Sequence, residues 1–105
     1  MRSIPFVERI AERALVLQRM DGTTTDVTLE IGLPVPAPQY QIPSACPFRL
    51  IGLAKEEKLY AVGVDSAQAL QLALRGMAAW LDVTAASYGG KFVLSGGTDH
   101  GFAGE

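Results

Sequence analysis

The sequence predicts an α+β fold with two layers: an antiparallel meander of four to five strands, and one long helix packed across one of its faces. Two observations predict strands: an Asp-Gly pair at 21–22 between two apolar runs, and a charged tip at 55–58 between two more. A third, the amphipathic stretch that follows Asp65, predicts the helix. With 105 residues, 49% of them hydrophobic, the chain suits one domain, which we expect to span 1–105.

The first hairpin is predicted over 12–20 and 23–33. Asp21-Gly22 favours a type I′ turn, in which both central residues have positive φ. The arm after the turn alternates apolar and polar residues, as a half-buried strand does. Residues 6–17 also fit a helical stripe, but the turn and the β-branched stretch after it favour a strand.

Residues 34–47, with the sequence PVPAPQYQIPSACP, are predicted to form a proline-punctuated loop of extended backbone. A loop of this length is typical of a functional or contact surface. We therefore expect Pro36, Pro38 and Tyr40 to contribute to an interaction surface.

A second hairpin is predicted over 48–53 and 59–64, and the helix over 66–86. Asp65 is placed to cap the helix, and Gln68, three residues later, completes a capping-box pattern. At 100° per residue a broad apolar face results. It comprises Ala69, Leu70, Ala73, Leu74, Met77, Trp80 and Leu81.

Apolar residues also border the polar stripe of the helix. Leu72 and Val83 are expected to stay exposed in a monomer, which makes a homodimer contact one explanation for them. Gly76 costs the helix about 1 kcal/mol relative to Ala. That cost predicts the close approach of another backbone on this flank.

After the helix, residues 91–95 predict a short strand able to join a sheet edge. Residues 96–105 are rich in glycine and predict a flexible tail.

Composition excludes several classes of function. The formal charge of −2 and the pI of about 5.3 do not provide the positive field that nucleic-acid binding requires. The single Cys46 and the single His100 exclude an intrachain disulfide and a Cys/His zinc site within one chain. No targeting segment is expected, because charged residues at 8, 9, 12 and 13 interrupt the apolar start of the chain. No membrane span is expected, since the longest uncharged run carries five prolines. A reduced, cytoplasmic setting is expected.

The segment 63–70, Gly-Val-Asp-Ser-Ala-Gln-Ala-Leu, is similar to the phosphopantetheine attachment motif of acyl and peptidyl carrier proteins. The resemblance implies modification of Ser66, at a helix N-terminus that favours a phosphate ester. Ala67 replaces the leucine of that motif, and strands are predicted where a carrier protein has a helix and a long loop. An Asp65 cap before an amphipathic helix explains the same residues.

No set of residues predicts catalysis. The carboxylates are scattered over expected solvent-facing positions, and none forms a matched acid–base pair. Cys46 beside Pro47 is typical of a small buried hydrophobe. We therefore expect no enzyme activity, no catalytic residue, no cofactor and no metal.

Several local strings together carry a wider resemblance. They are Glu12-Arg13, Ile31-Gly32-Leu33-Pro34, Cys46-Pro47-Phe48-Arg49, Gly52-Leu53, Gly63-Val64-Asp65 and the run Gln-Ala-Leu-Gln-Leu-Ala-Leu at 68–74. From about residue 10 to 85 the chain resembles a family of small uncharacterised bacterial proteins known as a domain of unknown function. The resemblance supports the α+β fold and implies no catalytic residue.

The function expected from the sequence is that of a non-catalytic protein-interaction module, with the 34–47 segment and the open face or edge of the sheet as contact surface. Small size and acidity suggest a toxin-neutralising immunity protein as one version. The alternatives are a carrier protein modified at Ser66, and a small-molecule binder with a pocket between helix and loop near Cys46.

Overall fold

The computed structural model describes residues 3–102 and confirms the α+β class, with a six-stranded antiparallel sheet and one long helix across it. The strands are β1 (Arg9–Arg19), β2 (Thr24–Gly32), β3 (Val35–Ala37), β4 (Ile42–Ile51), β5 (Glu57–Gly63) and β6 (Gly90–Val93). The helix α1 is Ser66–Ser87, and a 3-10 turn spans Pro38–Tyr40.

β5 and β6 are the outermost strands of the sheet, and the three-residue strand β3 also pairs with only one strand, β4. β4 pairs with β2 and β3 on one side and with β5 on the other, while β1 lies between β2 and β6. The main order is therefore β5-β4-β2-β1-β6. Helix α1 connects the two edges by crossing one face of the sheet.

The first hairpin is observed at Arg9–Arg19 and Thr24–Gly32, close to the predicted 12–20 and 23–33. Its turn differs from the predicted type I′, because only Gly22 has a positive φ, of 90°. The Asp21 carboxylate accepts hydrogen bonds from the amide and hydroxyl of Thr23, at 2.9 and 2.6 Å. These bonds close a longer loop with a single left-handed residue.

The predicted loop over 34–47 is wrong for most of its length. It contains β3, the 3-10 turn and the first half of β4, so β4 begins six residues before the predicted start at 48. Pro47 is accommodated because β3 pairs with β4 over 42–45 and β2 pairs over 48–51. Pro47 falls between these two ladders, where no N–H group is needed.

The second hairpin and the helix follow the prediction closely. β4 ends at Ile51 and β5 runs over Glu57–Gly63, against the predicted 48–53 and 59–64. The Asp65 side chain accepts the amide of Gln68 at 2.8 Å, and the Gln68 side chain accepts the amide of Val64 at 2.7 Å. Both caps are made by neighbours in sequence, which is why the predicted start at 66 is confirmed.

The main core lies between α1 and one face of the sheet, called here the helix-side face. It is built of alternating residues from the central strands and one stripe of the helix. The buried members are Leu15, Leu17, Val27, Leu29, Ile31, Cys46, Phe48, Leu50, Ala69, Ala73, Met77, Leu81, Ala85 and Phe92.

Residues 3–8 cross the opposite, open face. The carbonyl of Glu8 accepts the amide of Leu33 at 2.7 Å, and Ile4 packs on a second small core. The buried members of that core are Ala37, Ile42 and Ala45. A Cβ atom on Gly32 would lie only 2.9 Å from a carbon of the Phe6 ring. Only glycine therefore fits at this position under the crossing segment.

The C-terminal residues correct the prediction of a flexible tail over 96–105. β6 spans Gly90–Val93 rather than 91–95, and residues 94–102 turn back on the molecule. His100 is buried, with Nε2 3.0 Å from Asp82 Oδ1 on α1, and its carbonyl accepts from Arg13 at 3.1 Å. We call residues 94–102 the C-terminal hook; the last three residues of the predicted tail lie outside the described residues.

Candidate functional site

The outer side of β5 is an open edge of the sheet. Within residues 3–102, only β4 pairs with β5, so one row of its backbone groups has no strand partner. Leu59 and Val62 are 48% and 40% exposed, and Val64, just beyond the strand, is 72% exposed. A seven-residue edge with apolar side chains is a template for an additional strand.

An apolar border follows this edge on the helix-side face. Leu59 is the register partner of Phe48. The rings of Phe48 and Trp80 pack edge to face, with their centroids 4.9 Å apart. On the helix surface Trp80 adjoins the positions four before and three after it, Gly76 and Val83. The free edge of β5 therefore continues into the exposed flank of α1.

That flank, called here the helix stripe, consists of Leu72, Gly76, Ala79 and Val83, all of which are exposed. Their spacing of four, three and four residues places them in one row along the helix. Apart from its two chain neighbours and the nearby backbone of its own helix, no atom of the described chain lies within 4 Å of where a Cβ on Gly76 would stand. The close backbone approach predicted at Gly76 is therefore not made within the described chain.

A groove of about 820 Å³ lies against β5 on the open face. Residues 3–6 form one of its walls, β5 forms the other, and β4 forms its floor. Apolar and aromatic side chains are mixed with ionised ones, and the volume is in the range of ligand pockets. The lining residues are Ser3, Ile4, Pro5, Phe6, Pro47, Phe48, Arg49, Glu56, Lys58, Leu59 and Tyr60.

The charges at the floor of the groove are already paired. Arg49 Nε donates to Glu30 Oε1 at 2.8 Å, and its guanidinium carbon lies 3.8 Å from the centre of the Phe6 ring. Arg9 donates to Glu30 Oε2 at 3.2 Å. The hydrogen bond from Arg49, more than that from Arg9, holds the pKa of Glu30 below its usual range. This network fixes the N-terminal wall rather than presenting free charge to a ligand.

The turn before β5 and the first two residues of the strand carry balanced charge. Lys55 and Lys58 approach Glu57 and Glu56 at 3.8 and 3.7 Å. Glu57 also accepts from the Tyr88 hydroxyl at 2.8 Å, which ties the end of α1 to the start of β5. Burial, and then the bond to Glu57, raises the pKa of Tyr88.

The nucleophile and the base that the sequence offers lie apart from this edge. Cys46 is buried in the main core with Sγ 3.5 Å from the Gly32 carbonyl, and burial raises the pKa of its thiol to about 11. His100 belongs to the C-terminal hook, where its Nδ1 accepts the Phe102 amide at 3.1 Å. Over residues 3–102, no three His, Cys, Asp or Glu side chains form a group that could bind a metal.

The sequence-predicted contact residues fall in separate places. Leu72 and Val83 are 37% and 72% exposed on the helix stripe beside β5. Pro36 and Pro38 are exposed at β3 and the 3-10 turn, and β4 separates β3 from β5. Tyr40 is half-buried against the second core, and its hydroxyl accepts the Ser3 amide at 2.9 Å. Contact roles for all of these remain predictions.

Ser66, the predicted modification site, is exposed as the first residue of α1. It follows the Asp65 cap and lies at the end of β5. The strands before it form the sheet, so the fold differs from the helical surroundings implied by the carrier-protein motif. Its modification remains a prediction.

Sequence reasoning did not single out Leu59, Val62 or the N-terminal wall of the groove. The alternation Leu59, Ala61, Gly63 against Tyr60, Val62 carries a signal, because apolar residues occur on both faces of this strand. An edge strand with two apolar faces needs cover on both sides. The long-range crossing by residues 3–8 has no local signal.

A family model described as domain of unknown function (DUF6968) matches residues 11–103. The comparisons find no matching curated protein and no matching solved structure. Among the residues that the structure describes, no helix is both long and apolar enough to cross a membrane.

Proposed function

The chain belongs to DUF6968, a family of unknown function, and we propose from its geometry that it is a non-catalytic protein-interaction module that binds its partner along the outer edge of β5. The observation that carries the proposal is this seven-residue edge, unpaired by any described residue and lined by exposed apolar side chains. Proteins normally protect such edges with charge, proline or a covering element.

The surroundings of the edge support strand addition. Side chains of an added strand alternate between the two faces of the sheet. On one face they meet the helix stripe, and on the other they meet the groove beside Tyr60 and Lys58. Backbone hydrogen bonds supply affinity in this mode, and the two side-chain surfaces supply specificity.

The low chemical reactivity of the titratable groups supports a non-catalytic role. At neutral pH a thiol with a pKa of about 11 stays protonated, so Cys46 is a poor nucleophile. His100 uses both ring nitrogens in bonds that hold the C-terminal hook. Toxin neutralisation remains a prediction from size and acidity.

The test is a comparison of Leu59→Lys with Leu74→Lys. Leu59 is 48% exposed on the edge and Leu74 is 44% exposed on the other border of α1, so both variants add one exposed cation. Each protein is immobilised and exposed to a lysate that also contains a differently tagged second copy. We expect wild type and L74K to retain the same protein and L59K to lose at least 90% of it.

Retention of one specific protein by wild type and by both variants alike would place the contact elsewhere. Retention of nothing by wild type would contradict the module function itself. Circular dichroism melts of both variants confirm that each is folded.

The groove favours a second candidate function, binding of a small molecule. Its volume of about 820 Å³ and its aromatic and ionised lining suit a mixed apolar and polar ligand. A metabolite that raises the melting temperature of wild type and L74K equally, and of Tyr60→Ala much less, supports this candidate. If no metabolite in the library shifts wild type, the candidate is rejected.

A further inference from the structure

We propose that the partner at β5 is a second copy of this chain, paired antiparallel across a two-fold axis through Tyr60. The inference rests on the proposed function, since it uses the same edge, and it names the occupant. The two sheets then form one continuous sheet, with both helices on the same face.

The register follows from symmetry and from the ends of the strand. A two-fold axis normal to the sheet keeps the faces matched, so opposed residues must be separated by an even number of positions. Only the register centred on Tyr60 pairs all seven residues of Glu57–Gly63 with all seven of the second copy. It sets Leu59 opposite Ala61 and Lys58 opposite Val62.

Charge disfavours two of the other registers. A third, centred on Leu59, opposes no like charges but pairs only residues 57–61 of the strand. Centring the pair on Lys58 opposes two lysines, and centring it on Ala61 opposes Glu57 to Asp65. Like charges directly opposed across strands are destabilising. Centring on Tyr60 opposes no like charges, and its continuation beyond the strand ends places Lys55 opposite Asp65 on both sides of the axis.

The position of α1 brings the helices together at the same axis. The helix packs chiefly on β5 and β4, with Ala69 against Gly63 and Tyr88 bonded to Glu57. It therefore runs antiparallel to β5, with its middle beside Tyr60. Strands in a sheet are about 4.8 Å apart and packed helices about 8–10 Å apart. Helices seated over the two outermost strands of each copy thus come into contact.

The helix stripe has the shape that this contact requires. Its smallest members, Gly76 and Ala79, are central, and the larger Leu72 and Val83 flank them. The open space at Gly76 is then filled by the second helix, which accounts for a glycine in mid-helix. The close backbone approach that the sequence predicts at this residue is made between copies.

Gly76 supplies a sharp test, because its substitution is sterically free in the monomer. Gly76→Lys improves the intrinsic helix propensity and blocks the approach of the second helix. Gln71→Lys is the matched control, since it adds the same charge on an exposed position of α1 away from the stripe. Multi-angle light scattering after gel filtration measures the mass.

At 100 μM we expect wild type and Q71K at twice the chain mass of 11.2 kDa, and G76K at 11.2 kDa with a melting temperature no lower than that of Q71K. A monomeric wild type overturns the proposal, and so does a dimeric G76K. If wild type is monomeric but L59K still selectively loses a lysate protein, the β5 edge stands as the binding site and only the occupant is wrong.

The register is tested by cysteine substitution. Directly opposed residues in antiparallel strands have Cβ atoms about 4.5–5.5 Å apart. Under mild oxidation Tyr60→Cys is expected to form a disulfide-linked dimer and Leu59→Cys at least fivefold less of it. The buried native Cys46 does not compete. Preferential crosslinking of L59C overturns the register.

Discussion

The two edges of the sheet are built differently. β6 is four residues long, with Phe92 and Val93 at 2% and 1% exposure, and the C-terminal hook follows it at once. β5 is seven residues long, with Leu59 and Val62 half exposed. Within residues 3–102 neither strand has a strand partner on its outer side. β6 is short and its apolar side chains are buried, whereas β5 is longer and its apolar side chains are exposed. This difference makes β5 the edge better suited to the binding that we propose.

Features other than length also distinguish β6 from β5. On its paired side, Gly90 approaches the backbone of Gln18 on β1 so closely that a Cβ atom would collide with it. Lys91 is exposed on the strand, and an edge lysine discourages further pairing. Arg13 lies 4.2 Å from the centre of the Phe102 ring, so the hook reaches β1 beyond the end of β6. On β5, Lys58 is the only lysine that discourages pairing with a further strand in the same way.

The largest expected effect separates the edges by stability. Phe92→Ala removes a ring from the main core and is expected to lower the free energy of unfolding by about 3–4 kcal/mol. Leu59→Ala on the half-exposed edge should lower it by under about 1 kcal/mol. Urea denaturation of monomeric protein, in the G76K background, measures both. Equal losses of unfolding free energy would contradict the contrast between the buried strand β6 and the half-exposed strand β5.

A smaller effect concerns the wall of the groove beside β5. Glu30 has a folded pKa below its unfolded value, so its contribution to stability is present above the unfolded pKa and is lost as pH falls through the folded pKa. Glu30→Gln should cost about 1–2 kcal/mol at pH 7. Near pH 3 the carboxylate of wild type is protonated more fully, so the difference in unfolding free energy between wild type and E30Q should narrow.

Urea denaturation at the two pH values checks this prediction, with Glu12→Gln as control. Glu12 also meets Arg9, at 3.3 Å, but its side chain is half exposed. The structural role of this network would be contradicted if E12Q lost as much stability as E30Q, or if the stability loss of E30Q became larger in acid.

How much of the molecule its sequence predicts depends on the range of the contacts involved. The start of α1 is predicted because Asp65 and Gln68 interact with backbone within three or four residues. The start of β4 is missed because a proline within a strand is tolerated only where its neighbours leave a gap. Pro47 lies in such a gap between β3 and β2, which only the assembled sheet reveals.

The candidate site divides in the same way. Leu72, Gly76 and Val83 are predicted from helical periodicity, and the structure places them on one exposed row. The open side of β5 and the crossing of the sheet by residues 3–8 depend on strand order, which local patterns do not specify. The buried His100 is missed for the same reason, since its partner Asp82 is 18 residues away.

Amide hydrogen exchange in β5, measured by NMR on the partner-bound protein and on L59K, tests most directly whether a partner strand is added at this edge. If a strand is added at this edge, all β5 amides exchange slowly when the partner is bound, and alternate ones exchange at least tenfold faster in L59K. The exchange rates of the β6 amides should be the same in both samples. Alternate β5 amides that exchange fast in both samples would contradict strand addition at β5.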